Sequence, residues 1–149
     1  MKSITILLVF IILTSFSFAA EGVITQQSMH DVKATADRLE SLLKSKGMTV
    51  FDRISHSDGA KGVGIELRPT ELIIFGNPRV GSPLMQCSQS AAIDLPQKAL
   101  IWEDAEGKTY ISYNDPAYIK NRHNIKDCEE VLTKISNALA NFAKGAAAP

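Results

Sequence analysis

Two stretches of this chain set apolar side chains along a single stripe of a helix, and neither can fold without a second apolar surface to lie against. The first follows Ser28. Met29, Val32, Ala36, Leu39, Leu42 and Leu43 recur at helical spacing, while Lys33, Asp37, Arg38, Glu40 and Lys44 fall on the other side. Ser28 reads as the N-cap, Asp31 completes a weak capping box, and Gly47 closes the helix where a left-handed residue is wanted. The second stripe opens at the capping pair Asp127 and Glu130. It carries Val131, Leu132, Ile135, Leu139 and Phe142, with Gly145 and the alanine-proline tail expected to fray.

Strands supply the missing surface. Residues 22–27 and 48–54 read as short strands, and Val63, Ile65 and Leu67 alternate with polar or small neighbours as a half-buried strand does. Pro69 bends that strand, and the run through Leu72 and Phe75 is apolar enough for the middle of a sheet. The segment from His56 to Gly62 reads as a turn. After the Gly76-Asn77-Pro78 break, Ser82 and Pro83 have the chemistry of a helix start, with the helix running to about residue 92. Residues 98–102 and 109–113 form a hairpin, and Asp115-Pro116 caps a short helical turn. The order β-α-β-β-α-β-β-α predicts an α+β fold, a single layer of mostly antiparallel sheet packed by helices. Residues 20–149 read as one domain, without repeats or a linker.

The compartment is read from the first residues. Lys2, an apolar run from Ile4 to Phe18 and small residues at Ser17 and Ala19 make residues 1–19 a secretory signal, so the chain is expected in a periplasm or outside the cell. An oxidising compartment and two cysteines, Cys87 and Cys128, favour one disulfide over two free thiols or a metal or redox role. With 16 basic and 16 acidic residues intermixed, the chain lacks the electrostatic footprint of a nucleic-acid binder and the basic cluster that holds proteins on anionic lipid. No membrane contact is expected after signal cleavage.

The strings "GIELRPTELIIFGNP", "GSPLMQ" and "IDLPQKALIWEDAEGKTYISYNDPAY" together resemble the bacterial and archaeal family called domain of unknown function 302, over about residues 23–142. The resemblance implies a TBP-like α+β domain that forms homodimers. It implies no reaction, cofactor or ligand. Relatives commonly have alanine at the position of Cys87, which implies that the cysteine pair is a local addition for export.

Ser82, Ser88 and Ser90 lie near the Gly-Asn-Pro turn, but none sits in a nucleophile elbow, and a set made of Ser82, His56 and Asp94 has residue types without diagnostic spacing. His30, His56 and His123 show no metal-ligand spacing, so no metal and no cofactor is expected. Met85 with Cys87 could hold copper only if the thiol were free. Glu71, beside a buried strand, is the carboxylate most open to a raised proton affinity, with Arg68 or Arg79 as possible partners. The glycine-rich stretch from Gly76 to Gly81 could cradle a small anion, with Asn77, Arg79 and the Ser82 helix end as donors, although turn formation explains the same residues. Trp102 reads as a core or dimer-interface aromatic, or as one wall of a ligand cleft. The leading expectation is an exported, non-enzymatic dimer that binds a small ligand or a protein partner. An enzyme with polar groups around His56, Glu71, Asn77 and Arg79 is one alternative, and a copper- or redox-handling protein is another.

Overall fold

In the computed structural model, which describes residues 20–149, Asp31 rather than Ser28 starts the first helix. The signal expected over residues 1–19 lies outside the described residues. The Asp31 carboxylate accepts the Ala34 N–H at 2.7 Å and caps α1 (Val32–Ser45). Ser28 is instead buried, where its hydroxyl shares a 2.7 Å hydrogen bond with that of Thr35 and so meets the requirement that interior polar groups be paired. Val32, Ala36, Leu39 and Leu43 form the buried stripe, whereas Met29 precedes the helix and is exposed.

Five strands build the sheet: β1 (Val23–Gln27), β2 (Thr49–Ser55), β3 (Thr70–Gly76), β4 (Gln97–Glu103) and β5 (Thr109–Asn114). They lie in the order β1-β5-β4-β3-β2, every pair antiparallel. Ile73 and Phe75, Ala99 and Ile101, and Ile111 and Tyr113 are buried on one face, against which α1 and the last helix, α5 (Glu129–Ala147), pack. The alternate residues Leu72, Ile74, Leu100, Trp102 and Tyr110 are half-buried on the opposite face, as period-two geometry requires. The β4–β5 hairpin turns at Gly107, whose φ of +75° suits glycine, with the Asp104 carboxylate accepting from the backbone of Glu106 and Lys108.

Several expectations are corrected. Residues 63–67 form no strand, and Val63, Ile65 and Leu67 are exposed on an irregular connection. Their alternation suits an early part of β3, but β2 ends at Ser55 opposite Glu71 and turns into the next helix, so residues before Thr70 have no β2 partner to pair with. The turn expected before them is a helix, α2 (His56–Gly62), capped by the Ser55 hydroxyl, which accepts from Asp58 N–H at 3.1 Å. The next helix, α3 (Pro78–Cys87), begins before Ser82. The Asn77 side chain caps it by accepting from Arg79 N–H at 3.0 Å, and Pro78 fills the first helical position, where no N–H is needed. Ser82 and Pro83 are therefore interior, and α3 ends at Cys87 before a separate 3-10 turn, Gln89–Ile93. The short helix α4 (Pro116–Arg122) follows β5, with Asp115 as its expected cap.

The chain end does not fray. A Cβ built on Gly145 would lie 2.9 Å from Leu42 Cδ2, so the missing side chain lets α5 approach α1 closely, and Ala146 and Ala147 beyond it are buried. Arg38 donates to the carbonyls of Ala146 and Ala148, and Met29 N–H donates to Ala147. At its other end α5 is entered from Cys128, not capped by Asp127.

Two linkages tie the layers. Arg53 on β2 donates to Glu71 on β3 at 2.6 Å and to Asp37 on α1 at 2.5 Å, with Glu40 at 3.3 Å. Lys33, and then Arg53, hold the Asp37 carboxyl below its ordinary range, while Lys44, and then Arg53, do the same for Glu40. Cys87 is bonded to Cys128, with 6.5 Å between Cα atoms and a separation of 41 residues, so the end of α3 is joined to the start of α5.

Replacing both cysteines by serine is expected to lower unfolding free energy by about 2–4 kcal/mol. Thiol titration of the denatured protein should find reactive sulfur only after reduction. Arg53→Met should lower stability by about 1–2 kcal/mol near neutral pH, since the partners are partly solvated. The depressed carboxyl groups stabilise the fold above their unfolded values, and that contribution disappears as pH falls through the lower folded values. Denaturation curves should therefore show the difference from wild type shrinking as pH drops below 4.5, the ordinary glutamate value, and then 3.8, that of aspartate.

Candidate functional site

Where β3 ends, its last side chains meet α3 and α5 around a cavity of about 290 Å³. Phe75 and Phe142 line it with their rings edge to face, centroids 6.2 Å apart. Val80 and Met85 from α3, Leu95 from the following connection and Leu139 from α5 add apolar walls. The polar groups are few: Asn77, Ser82, Gln97 and Lys134. Asn77 is committed, since its oxygen caps α3 and its amide donates to the Gly47 carbonyl. The side chains of Ser82, Gln97 and Lys134 have no hydrogen-bond partner among the described residues, which leaves one ammonium, one amide and one hydroxyl free to meet a ligand.

Of the candidate residues, Asn77 and Ser82 meet at this cavity, and Arg79 is exposed on α3 nearby. His56, Glu71 and Trp102 lie at the other end of the sheet. The seven residues of β3 span roughly 20 Å between the two ends. His56 is the first residue of α2, and Glu71 is held by Arg53 instead of Arg68 or Arg79. Trp102 pairs with Thr70 and stacks on Tyr110 at 5.1 Å, its indole N–H donating to Ser112 Oγ at 2.9 Å. A hydrogen bond to Asp104, and then desolvation, raise the Tyr110 phenol above its ordinary value. His56, Glu71, Asn77 and Arg79 thus do not converge, and Ser82 is inside α3 instead of at its amino end. Met85 reaches the cavity, but the bond to Cys128 removes the Cys87 thiolate that a copper pair would need.

A cluster that sequence reasoning missed lies beside the disulfide. Asp94 follows the 3-10 turn and pairs with His123 Nε2 at 2.5 Å and with Arg122 Nη1 at 3.2 Å. His123 Nδ1 is 3.0 Å from Ser90 Oγ, and the Ser88 hydroxyl donates to the His123 carbonyl at 3.1 Å. Asp94 and the serines are some thirty residues from their histidine, so no local motif marks the set. The one signal was the cysteine pair, which implies that the segments after Cys87 and before Cys128 are neighbours.

Residues 24–142 match the family described as "Domain of unknown function DUF302". Two curated relatives, both named "Fluoride-specific ion channel FluC 1" and found in Brucella suis biovar 1 and Brucella abortus biovar 1, are 45% identical over 118 residues. The match covers 79% of this chain and 46% and 44% of those proteins, so the chain spans about half the length of the curated relatives it matches. The crystal structure of an uncharacterized conserved protein DUF302 from Bacillus stearothermophilus superposes with a TM-score of 0.77 at 21% identity, covering 85% of this chain and 99% of that one. At that identity the likeness concerns the fold. The family match covers most of the chain and the solved relative has the same architecture: this protein belongs to the DUF302 family.

Proposed function

We propose that this chain is an exported, dimeric binding module that takes a small amphipathic ligand with an anionic head. The cavity beside α3 carries the reading. Its volume, about 290 Å³, lies at the lower end of the range for small-molecule sites. Apolar walls favour a compact hydrocarbon or aromatic body, and Lys134 with Gln97 and Ser82 favours a carboxylate or similar group at the mouth. Among the described residues, none of the cavity's side chains is a carboxylate or histidine, so binding rather than acid-base chemistry fits this space.

Dimerisation is supported by the sheet face that α1 and α5 leave uncovered. Ile54, Leu72 and Leu100 form a row across three strands there, with Trp102 nearby. Val63, Ile65 and Leu67 add exposed apolar surface on the connection before β3. A second copy of the chain would bury such a surface. Export is supported by the pattern of residues 1–19 and by a disulfide of the kind that persists in oxidising compartments. The Brucella relatives contribute the observation that this domain also occurs as part of a longer protein. None of this chain's described helices is long and apolar enough to cross a membrane.

Native mass spectrometry of freshly purified protein should show a dimer retaining a small ligand. Anilinonaphthalene sulfonate, an apolar anion, should bind with a fluorescence rise that Ala138→Trp abolishes by filling the cavity. Lys134→Glu should weaken that binding roughly fivefold. Unchanged binding in Ala138→Trp would exclude the cavity. Leu100→Glu should yield monomers that still bind the probe, and a persistent dimer would exclude the open face as the interface.

A further inference from the structure

We propose that Ser90, His123 and Asp94 form an acyl-transfer site that hydrolyses carboxylic esters, with Ser90 as the nucleophile. The proposal goes beyond the ligand-binding reading and rests on different residues. A triad is defined by geometry and roles, not by sequence order. The geometry here is a nucleophile 3.0 Å from one ring nitrogen and a carboxylate 2.5 Å from the other. The burial follows the same logic. The His123 side chain is 6% exposed and that of Asp94 12%, while Ser90 faces solvent, where a substrate can reach it.

The partners decide the tautomer. A carboxylate can only accept, so the Asp94 contact places the His123 proton on Nε2 and leaves a lone pair on Nδ1 towards the Ser90 hydroxyl. Arg122 binds the other Asp94 oxygen and keeps the carboxylate aligned. The Ser88 proton is spoken for by the His123 carbonyl, while its oxygen, 3.1 Å from Ser90 Oγ, can accept. If His123 becomes charged, Nδ1–H donates to Ser90 and the Ser90 hydroxyl turns to Ser88. Both protonation states are therefore hydrogen-bonded with only the Ser90 hydroxyl hydrogen turning. The disulfide steadies the arrangement, because Cys87 directly precedes Ser88 and Cys128 closes the segment that follows His123.

Ser90 Oγ attacks the ester carbonyl as its proton passes to His123 Nδ1, forming the Oγ–acyl bond. The bond to the leaving oxygen breaks, and His123 returns the proton to release an alcohol. Water, deprotonated by His123 in turn, attacks the acyl-serine; the Oγ–acyl bond breaks, the carboxylic acid leaves, and His123 returns the proton to Ser90 Oγ. Ester and water give acid and alcohol, with no other reactant. Asp94 and Arg122 are positioning residues. Side chains three apart eclipse in a 3-10 helix, so Ile93, 73% exposed, stands on the same side of the turn as Ser90 and offers an apolar contact to the acyl group.

The test uses the disulfide-intact protein with a fluorophosphonate and with p-nitrophenyl acetate. The expected result is one equivalent of phosphonylation on the peptide carrying Ser90, together with ester hydrolysis above buffer. Ser90→Ala should lose both without a change in Tm, since the hydroxyl is at the surface. Asp94→Asn should lower kcat roughly 100-fold with KM little changed, a split that a merely structural contact would not produce. His123→Asn should lose at least about 100-fold. Wild-type protein that stays unlabelled at Ser90, or hydrolysis that survives Ser90→Ala, overturns the proposal whatever the other variants do.

Discussion

A single sheet has two faces, and the two longest helices among the described residues cover one of them. That constraint organises the molecule. α1 and α5 lie side by side on Ile73, Phe75, Ile101 and Ile111, close enough that a side chain at position 145 would have to displace the end of Leu42. With those helices committed, Leu72, Leu100 and Trp102 on the other face have no helix of comparable size to cover them among the described residues. The cavity has a related origin. α3 leaves the end of β3 at Asn77 and packs on α5, and the space between them is filled only in part by Phe75, Met85 and Phe142.

The disulfide is the second organising element because it acts between regions the sheet does not hold. The stretch from Ser88 to Asp94 is a short 3-10 turn with a following bend, and residues 123–128 are a connection between two helices. Such segments gain little from backbone ladders. Joined at Cys87 and Cys128, they can hold a network in which Asp94 meets His123 and Arg122, and His123 meets Ser90. The same cross-link that lowers the entropy of the unfolded chain also shortens the search for these polar contacts.

Residues that misled sequence reading did so for specific reasons. The alternation of Val63, Ile65 and Leu67 records a preference for lying half-buried, but a strand also needs a neighbour with free backbone groups, and β2 gives way to α2 after Ser55, level with Glu71. Gly59 and Gly62 suggested a turn, yet the Ser55 cap and the continuing chain let the segment close as a helix. Ser82-Pro83 and Asn77-Pro78 are two equally good helix starts, and the first in the chain prevailed because nothing before Ser82 stops the helix once Asn77 has capped it. At the amino end, Ser28 and Asp31 competed similarly. Burial of Ser28 against Thr35 left the cap to Asp31.

The sequence by itself determined the α+β class, both long amphipathic helices and the approximate places of the five observed strands, although it began the third at Val63 instead of Thr70, and its two cysteines favoured a disulfide over free thiols. These depend on local periodicity, turn chemistry and a count of two, which are properties of short windows or of composition. Only the tertiary structure decided which polar residues meet. It separated Glu71 from Asn77 by the length of β3, gave Glu71 to Arg53, and brought Ser90 to His123 and His123 to Asp94. Such meetings depend on strand register and on where helices cross, and a few residues of shift, such as the earlier start of α3, change every neighbour that follows.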